Sequence, residues 1–335
     1  MNAVSDQLGR SLTDLRVSVT DRCNFRCRYC MPREHFDQEH RYLPRADILS
    51  FEEIARVVGG LVPLGLRKVR LTGGEPLLRS ELHKLVTLLR KHSVLEIALT
   101  TNGSLLAKQA RALRDAGLDR LTVSLDSLSP EVFARMTDSD LAVSDVLAGI
   151  EAAHSVGFGS IKINAVVRRG ANDHTIVELA RHFKGSGDIV RFIEYMDVGL
   201  TNGWRMDHVL SGREIVELIG SELPLEPAQA NYSGEVAKRY RYLDGSGEIG
   251  VITSVTQPFC GDCGRLRLSA DGQLFGCLFA RFGTDLRAHL RASADDVALL
   301  ETLRQFWRAR DDRYSELRSA GTRNLPRLEM SYLGG

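Results

Sequence analysis

The chain has 335 residues, of which 43% are hydrophobic and 26% are charged, and its 44 basic and 43 acidic residues leave a net charge of +1. A composition this close to the globular average excludes an intrinsically disordered chain, a fibrous protein and a small disulfide scaffold. The near-zero charge disfavours nucleic acid as a partner, and no apolar stretch has the form of a membrane segment or a signal peptide, so we expect a cytoplasmic protein with reduced thiols.

Short β-branched segments alternate with amphipathic helical segments over the first two thirds of the chain. The predicted strands are Leu15–Val19, Lys68–Leu71, Glu96–Leu99, Leu121–Leu125, Ile161–Val166 and Ile189–Glu194. The predicted helices between them include Phe51–Leu61, Glu81–Lys91 and Ala107–Ala116, where apolar residues recur at the helical period. Six such units fit between residues 15 and 222 and a complete barrel needs eight, so we expect residues 1–222 to form an α/β fold that is either a partial TIM-type barrel or an open parallel sheet.

The pattern changes after residue 222. Residues 223–235 are rich in Pro, Glu, Gln, Asn and Gly, which is typical of a linker. From Arg239 to Phe279, turn dipeptides such as Asp271-Gly272 separate short strands and favour hairpins. A final helix is predicted over Ala294–Arg308. We therefore expect residues 223–335 to form a C-terminal region of short antiparallel strands and a helix that closes the barrel.

All six cysteines fall into two groups. The first group has the spacing C-x3-C-x2-C and follows the first predicted strand; the second has the spacing C-x2-C-x13-C and lies among the hairpins. The first consists of Cys23, Cys27 and Cys30, and the second of Cys260, Cys263 and Cys277. Such sorting is not expected of cysteines that serve only as buried core residues.

Three kinds of site compete for these cysteines. Disulfides are disfavoured by the reducing compartment and by the odd number in each group. A structural zinc ion takes four ligands, which would require a histidine such as His35 or His40. An iron–sulfur cluster held by three thiolates would leave one iron free to bind a small molecule.

The first group resembles the signature of the radical S-adenosylmethionine (SAM) superfamily, including the aromatic Tyr29 before the last cysteine. The resemblance implies that Cys23, Cys27 and Cys30 hold a [4Fe–4S] cluster that cleaves SAM within a partial (β/α)6 barrel. It also implies SAM contacts at the ends of the predicted strands, where a glycine lets the backbone approach a ligand. The implied SAM contacts are Tyr29, Gly74, Ser124 and Met196.

The second group resembles the C-terminal cluster of the GTP 3′,8-cyclase family, lyases that begin molybdenum cofactor biosynthesis. This resemblance implies a second [4Fe–4S] cluster on Cys260, Cys263 and Cys277, whose open iron contacts the guanine of GTP. Gly264 stands where the family commonly has Asn. The final Gly334-Gly335 matches a family tail that reaches the active site and supports catalysis.

The family's reaction and substrate contacts can also be carried over as implications. A 5′-deoxyadenosyl radical takes hydrogen from the ribose C3′ of GTP, C3′ attacks guanine C8, and reduction yields 3′,8-cyclo-7,8-dihydro-GTP. The implied GTP contacts are Arg16, Arg70, Thr101, Lys162, Arg265, Leu266 and Arg267. The implied partners are GTP, SAM, an electron donor and a cyclic pyranopterin monophosphate synthase that acts on the product, and a homodimer is left open.

Two alternatives stand beside this interpretation. The first is another radical SAM enzyme with an auxiliary cluster, acting on a peptide or a haem precursor; such enzymes often carry more C-terminal cysteines, whereas this chain has no seventh. The second is a zinc-stabilised nucleic-acid-binding module, which the near-zero charge and the three-plus-three arrangement of cysteines disfavour.

Overall fold

A computed structural model describes residues 4–232, 234–292, 295–318 and 327–334. The strands are β1 (Asp14–Ser18), β2 (Lys68–Thr72), β3 (Glu96–Thr101), β4 (Arg120–Ser124), β5 (Lys162–Val167), β6 (Ile189–Glu194), β7 (Leu225–Ala228), β8 (Lys238–Tyr242), β9 (Glu248–Ile252), β10 (Arg265–Leu268), β11 (Gln273–Phe275) and β12 (Thr284–Asp285). The helices are α1 (Phe51–Leu61), α2 (Leu82–Leu89), α3 (Leu106–Asp115), α4 (Pro130–Thr137), α5 (Val143–Ser155), α6 (Ile176–Phe183), α7 (Gly212–Gly220), α8 (Arg287–Arg291), α9 (Asp296–Ala309), α10 (Tyr314–Leu317) and α11 (Met330–Leu333). Across the described ranges, no helix combines the length and apolar character that a bilayer crossing requires.

The six predicted barrel strands are confirmed as β1 to β6, within a residue or two at their ends. The second predicted helix is shorter than expected at both ends. Glu81 has a left-handed backbone (φ 59°), so α2 begins only at the next residue, and it ends at Leu89, two residues before the predicted end. The last predicted helix is α9, and its first turn is capped by the carboxylate of Asp295, which accepts a hydrogen bond from the amide of Ala298 at 2.6 Å. The predicted first residue of that helix, Ala294, lies outside the described residues.

The described strands form one sheet in the order β12-β11-β10-β1-β2-β3-β4-β5-β6-β9-β8-β7. The strands from β10 to β9 in this order are all parallel, whereas the outer pairings that involve β7, β8, β11 and β12 are antiparallel. The partial barrel is therefore confirmed. The C-terminal strands pair antiparallel with one another, as predicted. In addition, β9 and β10 lie parallel beside β6 and β1 and extend both edges of the barrel. The division at residue 222 stays a prediction.

Side chains alternate between the two faces of each parallel strand. On β1, Leu15 and Val17 are fully buried in the hydrophobic core that packs against the helices, whereas Arg16 faces the other way. Helix α1 buries Ile54 and Val57 in the same core, and its N-terminus is closed by a capping box. The outer face of the sheet therefore holds the fold together, and its inner face is left for polar residues.

Candidate active site

One cavity, about 580 Å³ in volume, is lined by residues from each of the eight parallel strands and by all six cysteines. The first cysteine group follows the C-terminal end of β1. Cys260 and Cys263 precede the N-terminal end of β10, which is parallel to β1, and Cys277 follows β11, which returns to that same end. The structure therefore places the two groups at opposite ends of the barrel, with the cavity between them.

The loop that carries the first cysteine group is held by its own backbone and by one arginine. The amide of Cys30 donates to the carbonyl oxygen of Cys27 at 2.9 Å. The guanidinium of Arg26 donates to the carbonyl oxygens of Cys23 and Phe25, both at 2.8 Å. Burial raises the pKa of the Cys23 thiol to about 12, and it also raises the pKa of the Cys27 and Cys30 thiols well above their usual value. A bare thiolate is thus disfavoured here, and a positively charged group would have to stabilise it.

The donor set of this site fits an iron–sulfur cluster. Three thiols face one cavity, and thiolates are the usual protein ligands of [4Fe–4S] clusters. In the part of the chain that the structure describes, no three His, Cys, Asp or Glu side chains converge on a position for a single metal ion. His35 is exposed, His40 packs between Phe36 and Tyr42, and neither lines the cavity. The arrangement therefore favours a polynuclear cluster over the zinc site that remained open from the sequence.

The second cysteine group is held by a buried ion cluster that we call the arginine clamp: Asp6, Arg10 and Arg310. The Asp6 carboxylate accepts from Arg10 Nε at 2.7 Å and from Arg310 Nη1 at 2.8 Å. Arg10 donates to the carbonyl oxygen of Cys260 at 2.9 Å, and Arg310 donates to that of Cys263 at 2.9 Å. Arg310 Nε also donates to the carbonyl oxygen before Cys277, at 2.8 Å. Three backbone positions of the second group are therefore fixed by two arginines that share one carboxylate.

The thiols of the second group differ from one another. Burial raises the pKa of Cys277 to about 11. At Cys263 burial acts in the same direction, but Arg265 and Arg310 outweigh it and lower the pKa to about 7. Cys263 therefore forms its thiolate more easily than Cys277 before any metal is bound.

The predicted SAM contacts lie around the first cysteine group. Tyr29, Ser124 and Met196 all line the cavity, the last two at or just beyond the C-terminal ends of β4 and β6. The hydroxyl of Tyr29 donates to Asp126 Oδ2 at 2.8 Å, and Asp126 also accepts from the amide of Val166 at 2.9 Å. Burial raises the pKa of Asp126 to about 6. Asp126, which the sequence analysis did not single out, therefore fixes the orientation of Tyr29.

The Gly73-Gly74-Glu75 turn supports the loop that leads to Cys23. A Cβ atom on Gly73 would stand 2.5 Å from the carbonyl oxygen of Thr20, and one on Gly74 would overlap the backbone of Arg22. These glycines are thus required by a close approach of two backbone segments. Gly74 also lines the cavity, so the predicted contact with SAM stays a prediction. Glu75 accepts from Thr101 Oγ1 and from the amide of Asn102, both at 2.7 Å, and burial raises its pKa to about 7.

Three arginines stand side by side inside the barrel. Arg16 on β1 is in register with Arg70 on β2 and with Arg267 on β10. Arg70 donates to the hydroxyls of Thr100 and Thr122, both at 3.0 Å. Arg16 Nε has no hydrogen-bond partner among the described residues, and burial together with Arg267 and Arg265 lowers the pKa of Arg16 well below its usual value. Adjacent buried cations of this kind need an anion.

Further polar residues complete this inner face. Lys162 and Arg191 line the cavity beside Arg70 and Arg120; burial and these neighbouring charges lower the pKa of Lys162 to about 7 and that of Arg191 to about 9. Sequence analysis missed Arg191 and others, although they occupy alternate positions on consecutive parallel strands, which is a signal that can be read from sequence. The missed lining residues are Lys68, Glu96, Arg120, Asn164 and Arg191.

Cations outnumber anions around the cavity. The lining cations are Arg16, Arg67, Lys68, Arg70, Arg120, Lys162, Arg191, Arg265 and Arg267. The lining acids are Asp14, Glu75, Glu96, Asp126 and Asp262. Of these acids, Glu96 pairs with Lys68 at 2.9 Å and with Arg120 at 3.2 Å. The remaining excess of positive charge suits a polyanionic ligand.

Two predicted substrate contacts are already engaged with the protein. The hydroxyl of Thr101 donates to Glu75 and accepts from the amide of Gly103 at 3.0 Å, so only one lone pair remains. The Leu266 side chain is fully buried in the hydrophobic core and does not line the cavity. Arg265 and Arg267, on either side of Leu266, do line it. A ligand contact from Leu266 would therefore have to come from its backbone.

The C-terminal tail enters the barrel. The carbonyl oxygen of Gly334 accepts a hydrogen bond from Arg267 Nη1. Gly334 has φ +73°, and a Cβ atom there would stand 2.5 Å from Thr72 Cγ2. The hydroxyl of Tyr332 donates to Asp271 at 2.8 Å and anchors the preceding turn. Gly334 thus lies against the C-terminal ends of β1 and β2. Gly335 lies outside the described residues.

Comparison with known proteins gives two family matches. The sequence pattern of the Radical SAM superfamily matches residues 17–183, and the pattern described as Molybdenum Cofactor Synthesis C matches residues 188–316. A relative from Acidothermus cellulolyticus, named GTP 3′,8-cyclase, is 53% identical over 99% of both chains. A relative of the same name from Xanthomonas axonopodis pv. citri is 47% identical over 99% of both chains.

A solved structure with a related fold comes from Streptococcus suis. It is the crystal structure of SuiB bound to S-adenosylmethionine, with a TM-score of 0.62 and 15% sequence identity. The match covers 96% of the present chain and 72% of the SuiB chain. At this identity the likeness concerns the fold alone.

Proposed function

The chain belongs to the GTP 3′,8-cyclase family of the radical SAM superfamily, and we propose from this membership how its own residues carry out the family's reaction. The enzyme converts GTP to 3′,8-cyclo-7,8-dihydro-GTP, the first step of molybdenum cofactor biosynthesis, and uses SAM and a [4Fe–4S] cluster. When bound, the cluster and SAM supply the 5′-deoxyadenosyl radical that takes hydrogen from ribose C3′, after which C3′ bonds to guanine C8. One observation carries the proposal: an excess of buried cations stands between two cysteine groups in one cavity.

Cys23, Cys27 and Cys30 would hold the first cluster, and SAM would lie against it. Tyr29 is oriented by its hydrogen bond to Asp126, and Ser124 and Met196 line the same end of the cavity. Gly74 would act mainly by letting the cysteine loop pack against the end of β2. These residues would hold SAM close to the site of cleavage and keep bulk water away from the reacting atoms.

The triphosphate of GTP would lie along the inner face of the strands. Arg16, Arg70 and Arg267 are adjacent in register, and Lys162 faces the same space. A triphosphate carries about four negative charges, and guanidinium groups bind phosphate oxygens by charge-assisted hydrogen bonds. Binding of the triphosphate would neutralise cations that the protein itself does not pair. One example is Arg16, whose Nε has no hydrogen-bond partner among the described residues.

A second [4Fe–4S] cluster would be held by Cys260, Cys263 and Cys277. Its cradle is supported by the arginine clamp, which fixes the backbone at three points. With three protein ligands, one iron would stay open to the guanine, so that the base and the triphosphate would be bound at different parts of the cavity. Arg265, beside Cys263, would approach the same ligand.

The proposed partners follow from this chemistry. SAM cleavage consumes one electron, and reduction of the cyclised nucleotide radical to the 7,8-dihydro product consumes a second electron and a proton, so an electron donor is required. A cyclic pyranopterin monophosphate synthase would consume the product. We place the enzyme in the cytoplasm, where thiols stay reduced and can accept clusters. A homodimer stays a prediction.

Anaerobic reconstitution with iron and sulfide tests the proposed function. With SAM, dithionite and GTP, the enzyme is expected to release 5′-deoxyadenosine together with a cyclised nucleotide, both measured by liquid chromatography and mass spectrometry. With ATP in place of GTP, no cyclised product is expected. If SAM is cleaved while GTP stays unchanged, the assignment to the radical SAM superfamily would stand, but GTP would not be the substrate.

The affinity for GTP should fall as pH rises above about 7. Burial and nearby cations lower the pKa of Lys162 to about 7 in the free enzyme, whereas a bound triphosphate favours its ammonium form. Above pH 7, binding must therefore take up a proton, and the Kd should rise by up to about tenfold per pH unit. Calorimetry between about pH 7 and about pH 8 measures this slope, because Arg191, whose pKa is lowered to about 9, begins to titrate above that range.

Lys162→Arg provides the matched control, because a guanidinium stays protonated over this range. Its Kd for GTP should be nearly independent of pH. Ionisation of the γ-phosphate is common to both enzymes and acts in the opposite direction. An equal slope for Lys162→Arg and the unchanged enzyme would show that Lys162 does not titrate on binding.

Gly334→Ala should reduce GTP cyclisation by about ten- to a hundredfold, because the new Cβ meets Thr72 at a left-handed backbone position and displaces the tail. Iron content should not change, since the atoms nearest to the new Cβ belong to Thr72 and Ser18 and not to a cysteine. Gly220→Ala is the control, because a Cβ at Gly220 meets no atom within 4 Å. Initial rates of product formation measure both, and a rate for Gly334→Ala equal to that of Gly220→Ala would contradict a role for the tail.

A further inference from the structure

A basic depression lies on the surface beside the first cysteine group, with a volume of about 290 Å³. It is formed chiefly by Arg28, Met136, Arg135, Arg168, Arg169 and His208. No Asp or Glu is among its described lining residues. It is separate from the main cavity, shares no lining residue with it, and has no part in the binding of GTP or SAM argued above.

Two of these cations are exposed and available to a partner. Within the described ranges, the side chains of Arg28 and Arg135 are exposed and form neither a hydrogen bond nor an ion pair. Arg169 pairs with Glu214 at 2.7 Å, and Arg168 lies 3.4 Å from His208 Nδ1. The depression therefore combines two guanidinium groups that make no hydrogen bond or ion pair among the described residues, although Asp138 and Glu131 interact with them at longer range, with two that are held in place. Its positive charge is concentrated in one spot although the whole chain is nearly neutral.

The depression is joined directly to the first cysteine group. Arg28 lies between Cys27 and Cys30, and its amide donates to the carbonyl oxygen of Met136 on α4 at 3.3 Å. Helix α4 separates the two spaces: Phe133 lines the main cavity, whereas Met136 lines the depression. An electron that enters at the depression would have only this helix turn and the cysteine loop to cross.

We propose that this depression is the docking site of an acidic one-electron carrier protein that reduces the first cluster. The inference rests on the proposed function, which requires an external electron for each SAM cleaved. In this step the carrier loses one electron and the first cluster gains it, and no bond forms or breaks. The partner is identified by its chemistry: a reduced flavin or iron–sulfur protein with a carboxylate-rich face around its redox centre.

The charge pattern favours a protein over a small anion. Arg28 and Arg135 are exposed and hold no preformed fork of hydrogen bonds, whereas a dedicated phosphate site presents converging donors. Transient redox complexes are small, and complementary charges steer the encounter. An exposed pair of unpaired arginines beside the electron's destination meets this requirement.

The test measures docking and electron transfer separately on the reconstituted holoenzyme. Reduced flavodoxin, an acidic flavoprotein, serves as the probe, and calorimetry with oxidised flavodoxin gives the Kd. Arg28→Glu/Arg135→Glu should raise the Kd at least about tenfold, and raising the ionic strength from about 50 mM to about 300 mM should weaken binding to the unchanged enzyme. The rate at which flavodoxin reduces the first cluster, followed by freeze-quench paramagnetic resonance, should fall by a similar factor.

The controls separate this inference from simpler causes. Lys108→Glu/Arg111→Glu makes the same change of charge on the exposed face of α3, and its Kd should stay within about twofold of the original. Arg135→Glu alone lies outside the cysteine loop and should show part of the effect. Iron content and reduction by dithionite, a small reagent that needs no docking site, should be unaffected in all of these variants.

Several outcomes would overturn the inference. These are an unchanged Kd for Arg28→Glu/Arg135→Glu, equal weakening in the α3 control, or no binding of either flavodoxin or an acidic ferredoxin to the unchanged enzyme. Saturable binding of inorganic pyrophosphate that the variant loses, with flavodoxin binding intact, would identify a small-anion site instead. Failure of dithionite to support SAM cleavage in the unchanged enzyme would contradict the proposed function and not this docking site.

Discussion

Cys27→Ala should abolish SAM cleavage, whereas Cys277→Ala should leave SAM cleavage largely intact and stop GTP cyclisation. The two cysteines lie at opposite ends of the same cavity, and each belongs to a group of three thiols. Removing one thiolate leaves too few ligands to retain a [4Fe–4S] cluster at that end only. We expect a loss of at least about 10³-fold in 5′-deoxyadenosine formation for Cys27→Ala, equivalent to about 4 kcal/mol.

Iron analysis distinguishes this result from general misfolding. The unchanged enzyme should bind about eight iron atoms, and each variant about four, because each loses one cluster of four. 5′-Deoxyadenosine and cyclised nucleotide are then measured in the same reaction. Loss of both clusters in either variant would mean that the two sites fold as one unit. SAM cleavage by Cys27→Ala would place the SAM-cleaving cluster elsewhere.

Arg16→Met should weaken GTP binding about a hundredfold or more and at the same time stabilise the free enzyme. Arg16 stands between Arg70 and Arg267, and within the described residues its Nε has no hydrogen-bond partner. Losing one partner of a buried, charge-assisted contact costs about 2–5 kcal/mol of binding. In the absence of GTP the same guanidinium is an uncompensated cation, so its removal should add about 1 kcal/mol to the free energy of unfolding.

The two effects are measured by calorimetry with GTP and by chemical unfolding without it. Arg111→Met on α3 is the matched control, since Arg111 is exposed and remote from the cavity, and it should change neither quantity appreciably. A variant Arg16→Met that is both less stable and impaired in binding would point to a structural role for Arg16. Unchanged GTP affinity would remove Arg16 from the substrate site.

Local patterns in the sequence predict the barrel and the cysteine groups. The strands β1 to β6 can be predicted from β-branched segments at regular spacing. The first cysteine group, Cys23, Cys27 and Cys30, directly follows one of these segments. The cations that line the inner face of the barrel strands could also have been predicted from the sequence. Residues two apart on each strand share a face, so Lys68 and Arg70 predict a polar interior once the parallel sheet is recognised.

Contacts between distant segments are beyond such reasoning. The parallel pairing of β10 with β1 joins Asp14 to Arg265, and no local pattern distinguishes it from the hairpins around it. The same holds for the arginine clamp, since Asp6 and Arg310 lie at opposite ends of the chain and a lone Asp or Arg is ordinarily a solvated residue. The role of Gly74 depends on which backbone segment passes over it, which only the folded chain defines.

The arginine clamp also sets an order for the maturation of the enzyme. Among the described residues, the hydrogen bonds of the loop from Cys23 to Cys30 reach only as far along the chain as Thr137. The cradle of the second cysteine group, in contrast, needs both Asp6 and Arg310. The chain's first and last segments must therefore meet before this cradle is rigid. If the second group holds a cluster as proposed, that cluster would enter only a nearly complete chain, and a protein truncated before α9 is expected to contain iron at the first site alone.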